Sequence, residues 1–526
     1  MRRHLIFALA IGGSIACGSA ASDGFSATTN APGPAGGSDA DGGTSSGGGT
    51  PAPPPEKEVE SQYKAPVATG KYVWVANPTS GRVAYINAST LDVHTVLAGN
   101  GPTYLAAVPS AEDTAVVLNV LSDDATLLKA SGATVTSKTF KTAHAMNAWA
   151  LSPDGHWAIA WTNAALLPSA PQTEGFQDLT VIDLTGKVAP VILAVGYRPV
   201  SVGFTQTSGR AWAVTQDGVA IIDVTLAGGP AQTKNVAISD APSEDPGTRD
   251  VSVTPDGAFA LIRRDGSPVV TAVSLLVDTR TKLTLPGNVT DLDLSDKGDR
   301  AVGIVRDSGT VSIIPIPAAI GDQGLIQNVV VPGATIGSVS LSPGGGTGLL
   351  YTNAAASERL DILSMSIGAP TTRAVKLYSP VLGVFSAPDA RHAVVIHQAS
   401  ATDPLGDLAF SLIPVADALP AKIVATKARP FAVGFAGDSK RVVVAEKDDA
   451  KQIFGVYLGR LPELMVDRYD LASSPVAVGV VDGAKRAFVA QNHPDGRITF
   501  IDLETGEART LTGFELAARV VDGSKP

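Results

Sequence analysis

The chain has 526 residues and a formal charge of −10, with 40 Lys and Arg against 50 Asp and Glu, and a single cysteine. An acidic balance without a basic block argues against nucleic acid as a partner, since binding its phosphates needs clustered Lys and Arg. One cysteine excludes a disulfide framework and any Cys-rich metal site, and 44 % apolar residues exclude general disorder.

Arg2 and Arg3 precede the apolar run Leu5 to Ala16, which is interrupted by Gly12, Gly13 and Ser14. The run is too short to cross about 30 Å of hydrocarbon as a helix, so residues 1–16 read as a signal peptide. It ends at Ser14-Ile15-Ala16-Cys17-Gly18, which resembles the lipobox of bacterial lipoproteins, where a small residue precedes a cysteine that becomes lipid-modified and then begins the mature chain. That family usually has Leu three residues before the cysteine, where this chain has Ser14. The resemblance implies a lipid on Cys17 and attachment to a membrane of the cell envelope. Cleavage after Ala20, in Gly18-Ser19-Ala20, is the alternative.

Residues 17–62 are dominated by Gly, Ser, Ala, Thr and Pro, and read as a disordered linker, flexible where Gly and Ser prevail and stiffer around Pro53-Pro54-Pro55. Gly43-Thr44-Ser45-Ser46-Gly47 matches a nucleophile elbow and Asp39-Ala40-Asp41-Gly42 a piece of a calcium loop. Neither has the ordered context that its chemistry needs.

From residue 71 onward, short apolar strands alternate with Gly, Pro, Asp and Asn turns, and no long helical period occurs. One landmark is Ser152-Pro153-Asp154-Gly155 followed by His156-Trp157-Ala158-Ile159, repeated as Thr254-Pro255-Asp256-Gly257 followed by Ala258-Phe259-Ala260-Leu261. Aligning the strand after each turn marks Tyr72, Ala115, Ala158, Ala211, Ala260, Ala301, Gly348, Ala393, Val442 and Ala487, at spacings of 41 to 53 residues. A four-strand unit recurring at this period predicts the blades of an all-β propeller over residues 63–521, with 522–526 as a tail.

The units also resemble the YVTN-type propeller repeat. Tyr72-Val73-Trp74-Val75-Ala76-Asn77 opens the first, Val181-Ile182-Asp183, Ile221-Ile222-Asp223 and Phe500-Ile501-Asp502 repeat its valine-isoleucine-aspartate strand, and Gly99-Asn100-Gly101-Pro102 and Gly196-Tyr197-Arg198-Pro199 its glycine-x-x-proline turn. The resemblance implies an exported, binding-type protein and carries no shared catalytic residues. About ten units exceed the usual four to eight blades. One closed ring is favoured over two tandem rings, because the first unit begins with its second strand and Phe514 to Val521 reads as the missing innermost strand of that unit.

Three long insertions, Ala164 to Gln177, Ser239 to Asp250 and Ala399 to Asp407, fall on one face of such a ring, which marks it as the binding side. Arg198, Arg249 and Arg429 stand at or just before the start of innermost strands, as do Asn100 and Gly101, while Arg263, Arg264 and Arg306 lie in other loops of that face. This set suits an anionic ligand or an acidic envelope protein. Glu174, Asp178, Asp240, Glu244, Asp245 and Asp403 share the face, so mutual pairing is the plainer reading.

No catalytic residue, cofactor or metal site is assigned. His94, His144, His156, His392, His397 and His493 form no HxH or HExxH pair, and a strand points His392 and His397 to opposite faces. Asp291, Asp293, Asp296 and Asp299 are the densest acidic group; oxygens there could hold calcium, but turn and strand-end acids are the plainer reading. Gly344-Gly345-Gly346-Thr347-Gly348 has no following helix and reads as a hairpin turn, and Trp74, Trp149, Trp157, Trp161 and Trp212 read as packing between blades. The expected function is a lipid-anchored, extracytoplasmic binding or scaffolding module. An enzyme of the lactonase or quinoprotein type, and a structural surface-display protein, are the alternatives. Mass spectrometry of the mature N-terminus should show an acylated Cys17, and Cys17→Ser should release a soluble precursor; a chain beginning at Ala21 would refute lipidation.

Overall fold

The computed structural model describes residues 66–132, 134–167, 174–239, 246–365, 369–398, 408–514 and 520–524. The expected signal peptide and linker, Cys17, parts of the first two insertions and the whole of the third, 399–407, lie outside the described residues. Ten antiparallel sheets follow one another along the chain and close into one ring, a ten-bladed β-propeller. Within each blade the strands pair in chain order, from an innermost strand a to the outer strand d.

Blade 1 is built from Val67–Ala68, Tyr72–Asn77, Arg82–Asn87 and Val93–Leu97, and blade 6 from Asp291–Leu294, Arg300–Val305, Thr310–Pro315 and Gln327–Val330. All ten landmark residues lie on strand b of successive blades. Most are small and fully buried, Ala115, Ala158, Ala260, Ala301, Ala393 and Ala487 among them, so they set how closely neighbouring sheets approach.

The core lies between blades. Each of eight apolar clusters among the described residues joins one pair of neighbours: Leu118 and Phe140 of blade 2 pack with Trp149 and Ile182 of blade 3, and Val302 and Val311 of blade 6 with Val339 and Leu350 of blade 7. The largest cluster joins blades 9, 10 and 1, with Val456, Phe488, Phe500, Val73 and Ile86 in a single contact group.

That cluster corrects the expected closure. Blade 1 has its own innermost strand, Val67–Ala68, paired with Trp74 and Val73, so it borrows none from the C-terminus. The final strand, Val520–Ser524, pairs instead with Ala508–Thr512 as a fifth strand on the outside of blade 10. Phe514 is buried as expected, but in the cluster shared with blade 1. The ring therefore closes through side-chain packing. A hydrogen bond from Arg486 Nη1 to the Ala88 carbonyl, 2.8 Å, crosses the same seam.

Because strands alternate in direction, a–b and c–d turns lie on one face, and b–c and d–a loops on the other. On the first face the a–b turns lace the ring together. Lys71 N donates to Asp113 Oδ1 at 2.7 Å, Ser110 Oγ to Pro153 O at 2.9 Å, Asp154 N to Ser208 Oγ at 3.2 Å and Gln206 N to Pro255 O at 2.9 Å. Gly344 N donates to Asp296 Oδ2 at 3.0 Å, Asp389 N to Ser439 Oγ at 3.0 Å and Gly437 N to Asp482 Oδ1 at 2.8 Å. Gly155 (φ +73°) and Gly483 serve this lacing: a Cβ on either would lie 2.1 Å from a carbonyl oxygen of the adjacent blade, Pro109 or Gly70.

A chain ended at Phe514 keeps every seam and should melt close to the full-length protein. Phe488→Ala opens the closing cluster and should cost about 3–5 kcal/mol. Thermal denaturation of both tests the closure, and an order reversed from this one would refute it.

Candidate functional site

The second face carries the d–a connections at the channel mouth, and on it lie the strand ends that the three insertions connect: strands b and c of blades 3 and 8, and blades 4 and 5. The chain also enters this face, because Pro66 immediately precedes the innermost strand of blade 1.

Strand b explains much of this face. Four residues beyond the landmark, where the strand reaches the mouth, stand Asn119, Thr162, Arg264, His397, Glu446 and Gln491, on runs that, apart from Arg263, are otherwise apolar. These residues are tethers. Most reach across to strand c: Asn119 Nδ2 to Thr126 Oγ1 at 2.9 Å, Arg264 Nη1 to Thr271 Oγ1 at 3.3 Å, Glu446 Oε2 to Tyr457 OH at 3.0 Å and Gln491 Nε2 to Thr499 Oγ1 at 2.7 Å. They also hold the incoming connection. Glu446 Oε2 accepts from Lys427 N at 2.8 Å and Ala428 N at 3.0 Å, Thr162 Oγ1 donates to Ala145 O at 2.9 Å, and Arg264 Nη2 donates to Ile238 O at 3.0 Å. A buried polar atom without such a partner would cost about 1–3 kcal/mol. Burial and the Glu446 carboxylate together push the Tyr457 hydroxyl up to about 12.

The arginines expected at the mouth divide accordingly. Arg264 is a tether. Arg249 is buried, 8 % exposed, and its Nη2 donates to Gln216 O at 2.6 Å and Thr215 O at 3.4 Å, clamping the neighbouring blade. Arg263 is held by Asp250 and by Asp265 at 2.7 Å; burial lowers its pKa, but the two carboxylates outweigh that and hold it above the ordinary arginine range. Arg198, Arg429 and Asn100 remain at least partly exposed on the mouth. The Arg198 backbone is left-handed (φ +45°), its Nε donates to Glu174 O at 3.0 Å, and its guanidinium lies 5.6 Å from the Tyr197 ring. Asn100 N donates to Ser122 Oγ at 3.0 Å. Arg306 opens the turn between strands b and c of blade 6. The structure thus brings Arg249, Arg263 and Arg264 together around blade 5 as structural groups, with Arg198 and Arg429 on separate blades. Of the acids expected on this face, Asp240, Glu244, Asp245 and Asp403 lie outside the described residues.

One pair has the bonding of an activated nucleophile. His397 Nδ1 donates to Pro380 O at 3.1 Å, which leaves Nε2 to accept from Ser411 Oγ at 2.7 Å. Both residues are wholly buried, so no substrate reaches the hydroxyl, and the pair is the blade-8 tether. Among the described residues, no three His, Cys, Asp or Glu side chains stand close enough to share a metal ion. Asp291 and Asp293 accept backbone amides, and Asp299 accepts from Ser295 Oγ at 2.8 Å. The recess lined by Asn119, Asp123, Asp124, Thr142 and Met146 is a shallow surface dip that encloses no room even for a water-sized molecule.

No family model and no curated protein matches the chain. Among solved structures, it is similar to the dihydro-heme d1 dehydrogenase NirN in complex with DHE, with 13 % identity over 79 % of this chain and 81 % of that one and a TM-score of 0.43. Kuenenia stuttgartiensis hydrazine synthase follows with 14 % identity over 62 % and 95 % and a TM-score of 0.33, and the Myceliophteria thermophila Cps50 (Swd1) β-propeller domain with 12 % over 56 % and 93 % and a TM-score of 0.32. Likenesses this distant say nothing of substrate or cofactor.

Glu446→Ala strands the two connection amides and removes one of the two carboxylates that hold Arg468, whose Nε lies 2.7 Å from Glu446 Oε1 and which keeps Asp470, so chemical denaturation should show a loss of about 1–3 kcal/mol for each amide left unbonded. Arg249→Ala should cost about 1–3 kcal/mol by leaving the Gln216 carbonyl unbonded. A melting curve unchanged by either substitution would refute the tether assignment.

Proposed function

We propose that this protein is a non-catalytic binding or scaffolding module of a bacterial cell envelope, built from YVTN-type repeats and anchored by lipid on Cys17, which engages an acidic envelope partner or an anionic ligand through its insertion-bearing face. The observation that carries this reading is the asymmetry of the two faces. Polar groups of the a–b turns are engaged by the next blade around most of the ring. The strand ends that the three insertions connect, and the partly exposed Arg198 and Arg429 at the mouth, lie on the opposite face. Variable loops on a rigid ring are the usual carriers of recognition.

The anchor fits the same reading. A linker of residues 17–62 would have a root-mean-square span of about 40 Å and joins the ring on the insertion face, so that face can approach a membrane-bound partner. Arg198 and Arg429 supply charge-assisted donors there, and neighbouring acids reduce their field, so modest affinity with strong salt dependence follows.

Site-specific photocrosslinking separates the faces. A crosslinker placed in turn at Leu167, Arg198 and Arg429 should capture the same envelope partner, and the yield should fall as salt is raised from 50 to 500 mM. One at Gly346, on the laced face, should capture none. Capture from Gly346 alone would overturn the assignment of the face. Turnover of a lactone or an alcohol by the purified protein would overturn the non-catalytic reading.

A further inference from the structure

The innermost strands of blades 8, 9 and 10, Val381–Ser386, Arg429–Phe435 and Pro475–Val481, share an irregularity at the channel mouth. Val381 and Gly383 pair with the successive residues His397 and Ile396, so Leu382 is an extra residue; Phe431 and Val476 are extra in the same way, each after a proline. Blade 2 has such a bulge at Thr103, whereas blades 3 to 7 pair strands a and b without one. The residue before each bulge pairs with the tether, His397, Glu446, Gln491 or Asn119, so the tether accounts for the bulge. It does not account for the side chain that fills it. A bulge re-aims a side chain, and on three consecutive blades that side chain is apolar and incompletely covered: Leu382 and Phe431 are partly buried, and Val476 is 42 % exposed. Tyr378, in the connection that enters blade 8, is 58 % exposed and continues the arc.

Cations accompany the arc. Lys447 Nζ lies 4.9 Å from the centre of the Phe431 ring, and Lys376 Nζ 4.4 Å from that of Tyr378. Arg429 stands directly opposite Lys447 on the neighbouring strand, a pairing of like charges that destabilises a sheet. The connections themselves, 377–380, 426–428 and 471–474, contain Lys427 and no acid. Asp449 and Asp470 approach Lys447 and Lys427 only to 4.0 Å, and both acids are largely exposed, so water screens these pairs.

We propose that the mouth of blades 8 to 10 seats an extended acidic segment of the partner, whose carboxylates meet Lys427 and Lys447 beside Arg429 and whose apolar side chains pack on Phe431 and Val476. This deepens, and rests on, the reading that recognition uses the insertion-bearing face. The chemistry selects the occupant. Four apolar side chains are too little surface for a globular partner, whose interface needs about 800 Å² on each side, but they suit a linear segment. Cations set over aromatic rings repel a basic segment, whereas an acidic one gains ion pairs and apolar contact together.

Fluorescence anisotropy of the full chain with short labelled peptides tests the seat. A peptide of alternating glutamate and leucine should bind saturably, one of glutamate and serine about tenfold more weakly, and one of lysine and leucine not at all. Lys447→Glu and Val476→Ser should each weaken the first peptide about tenfold, with far-UV circular dichroism unchanged. Leu226→Ser, at an exposed position of the laced face, should leave binding intact. No saturable binding of the first peptide, equal affinity for the serine peptide, or variants that bind like the wild type would overturn the proposal. Crosslinking separates it from the reading beneath it: if Leu167 and Arg198 capture the envelope partner with undiminished yield when Lys447→Glu and Val476→Ser are combined, the seat is wrong and the face stands.

Discussion

A ring closed without an exchanged strand must hold its seams largely by side chains, and the seam between the last and first blades carries that demand with the least help from the covalent chain. Residues 398 apart in sequence meet there through Arg486 and Ala88, and the largest apolar cluster among the described residues spans the joint. The cost of bringing distant segments together grows only logarithmically with the loop they enclose, so a broad apolar interface can offset it. Small residues on strand b make that interface possible by letting the sheets approach closely.

The same constraint explains the deployment of cations in an acidic chain. Arg486 of blade 10 binds the c–d turn of blade 1, and its counterparts recur around the ring: Lys138 to Gly186 O, Lys234 to Leu276 O, Arg373 to Val415 O and Arg441 to Leu503 O, all between 3.0 and 3.2 Å. A long cationic side chain can leave its own blade and satisfy a carbonyl on the next one. Carboxylates do the converse for amides, as Asp113, Asp296, Asp482 and Glu446 show. Most of these bonds are individually modest, about 1.5–3 kcal/mol when one partner is charged. Distributed over most of the seams, they help to fix the rotation of each blade, which apolar packing alone leaves loosely specified.

The repeat register was legible because it rests on local chemistry. A tight turn followed by a short apolar strand marked strand b in every blade, and the polar residue four positions later, Asn119, His397, Glu446 or Gln491, was open to the same alignment. What lay hidden depends on geometry between blades. Arg249 reads as a mouth residue and Arg264 as a loop residue of the same face, with nearby acids as their partners, because nothing in the sequence says that Gln216 O and Ile238 O wait opposite them. Asp291 and Asp293 read as an acidic cluster, yet each reaches an amide 48 residues away, one blade further on. The two-residue strand Val67–Ala68 is too short to give a periodic signal, and that omission produced the mistaken strand exchange at the C-terminus.

These departures from regularity also bear on function. A residue that recurs at the same place in blade after blade answers a demand that every seam makes, so it is poor evidence of a ligand, however suggestive its chemistry. By that measure Arg264, Glu446 and the buried Ser411–His397 pair are architectural, although a search by residue type alone would have favoured them. Features that do not recur carry the information: three insertions whose strand ends lie on one face, and Arg198 held left-handed against the Tyr197 ring. The ring supplies a rigid frame, so the proposed recognition site is to be sought where the repeats differ.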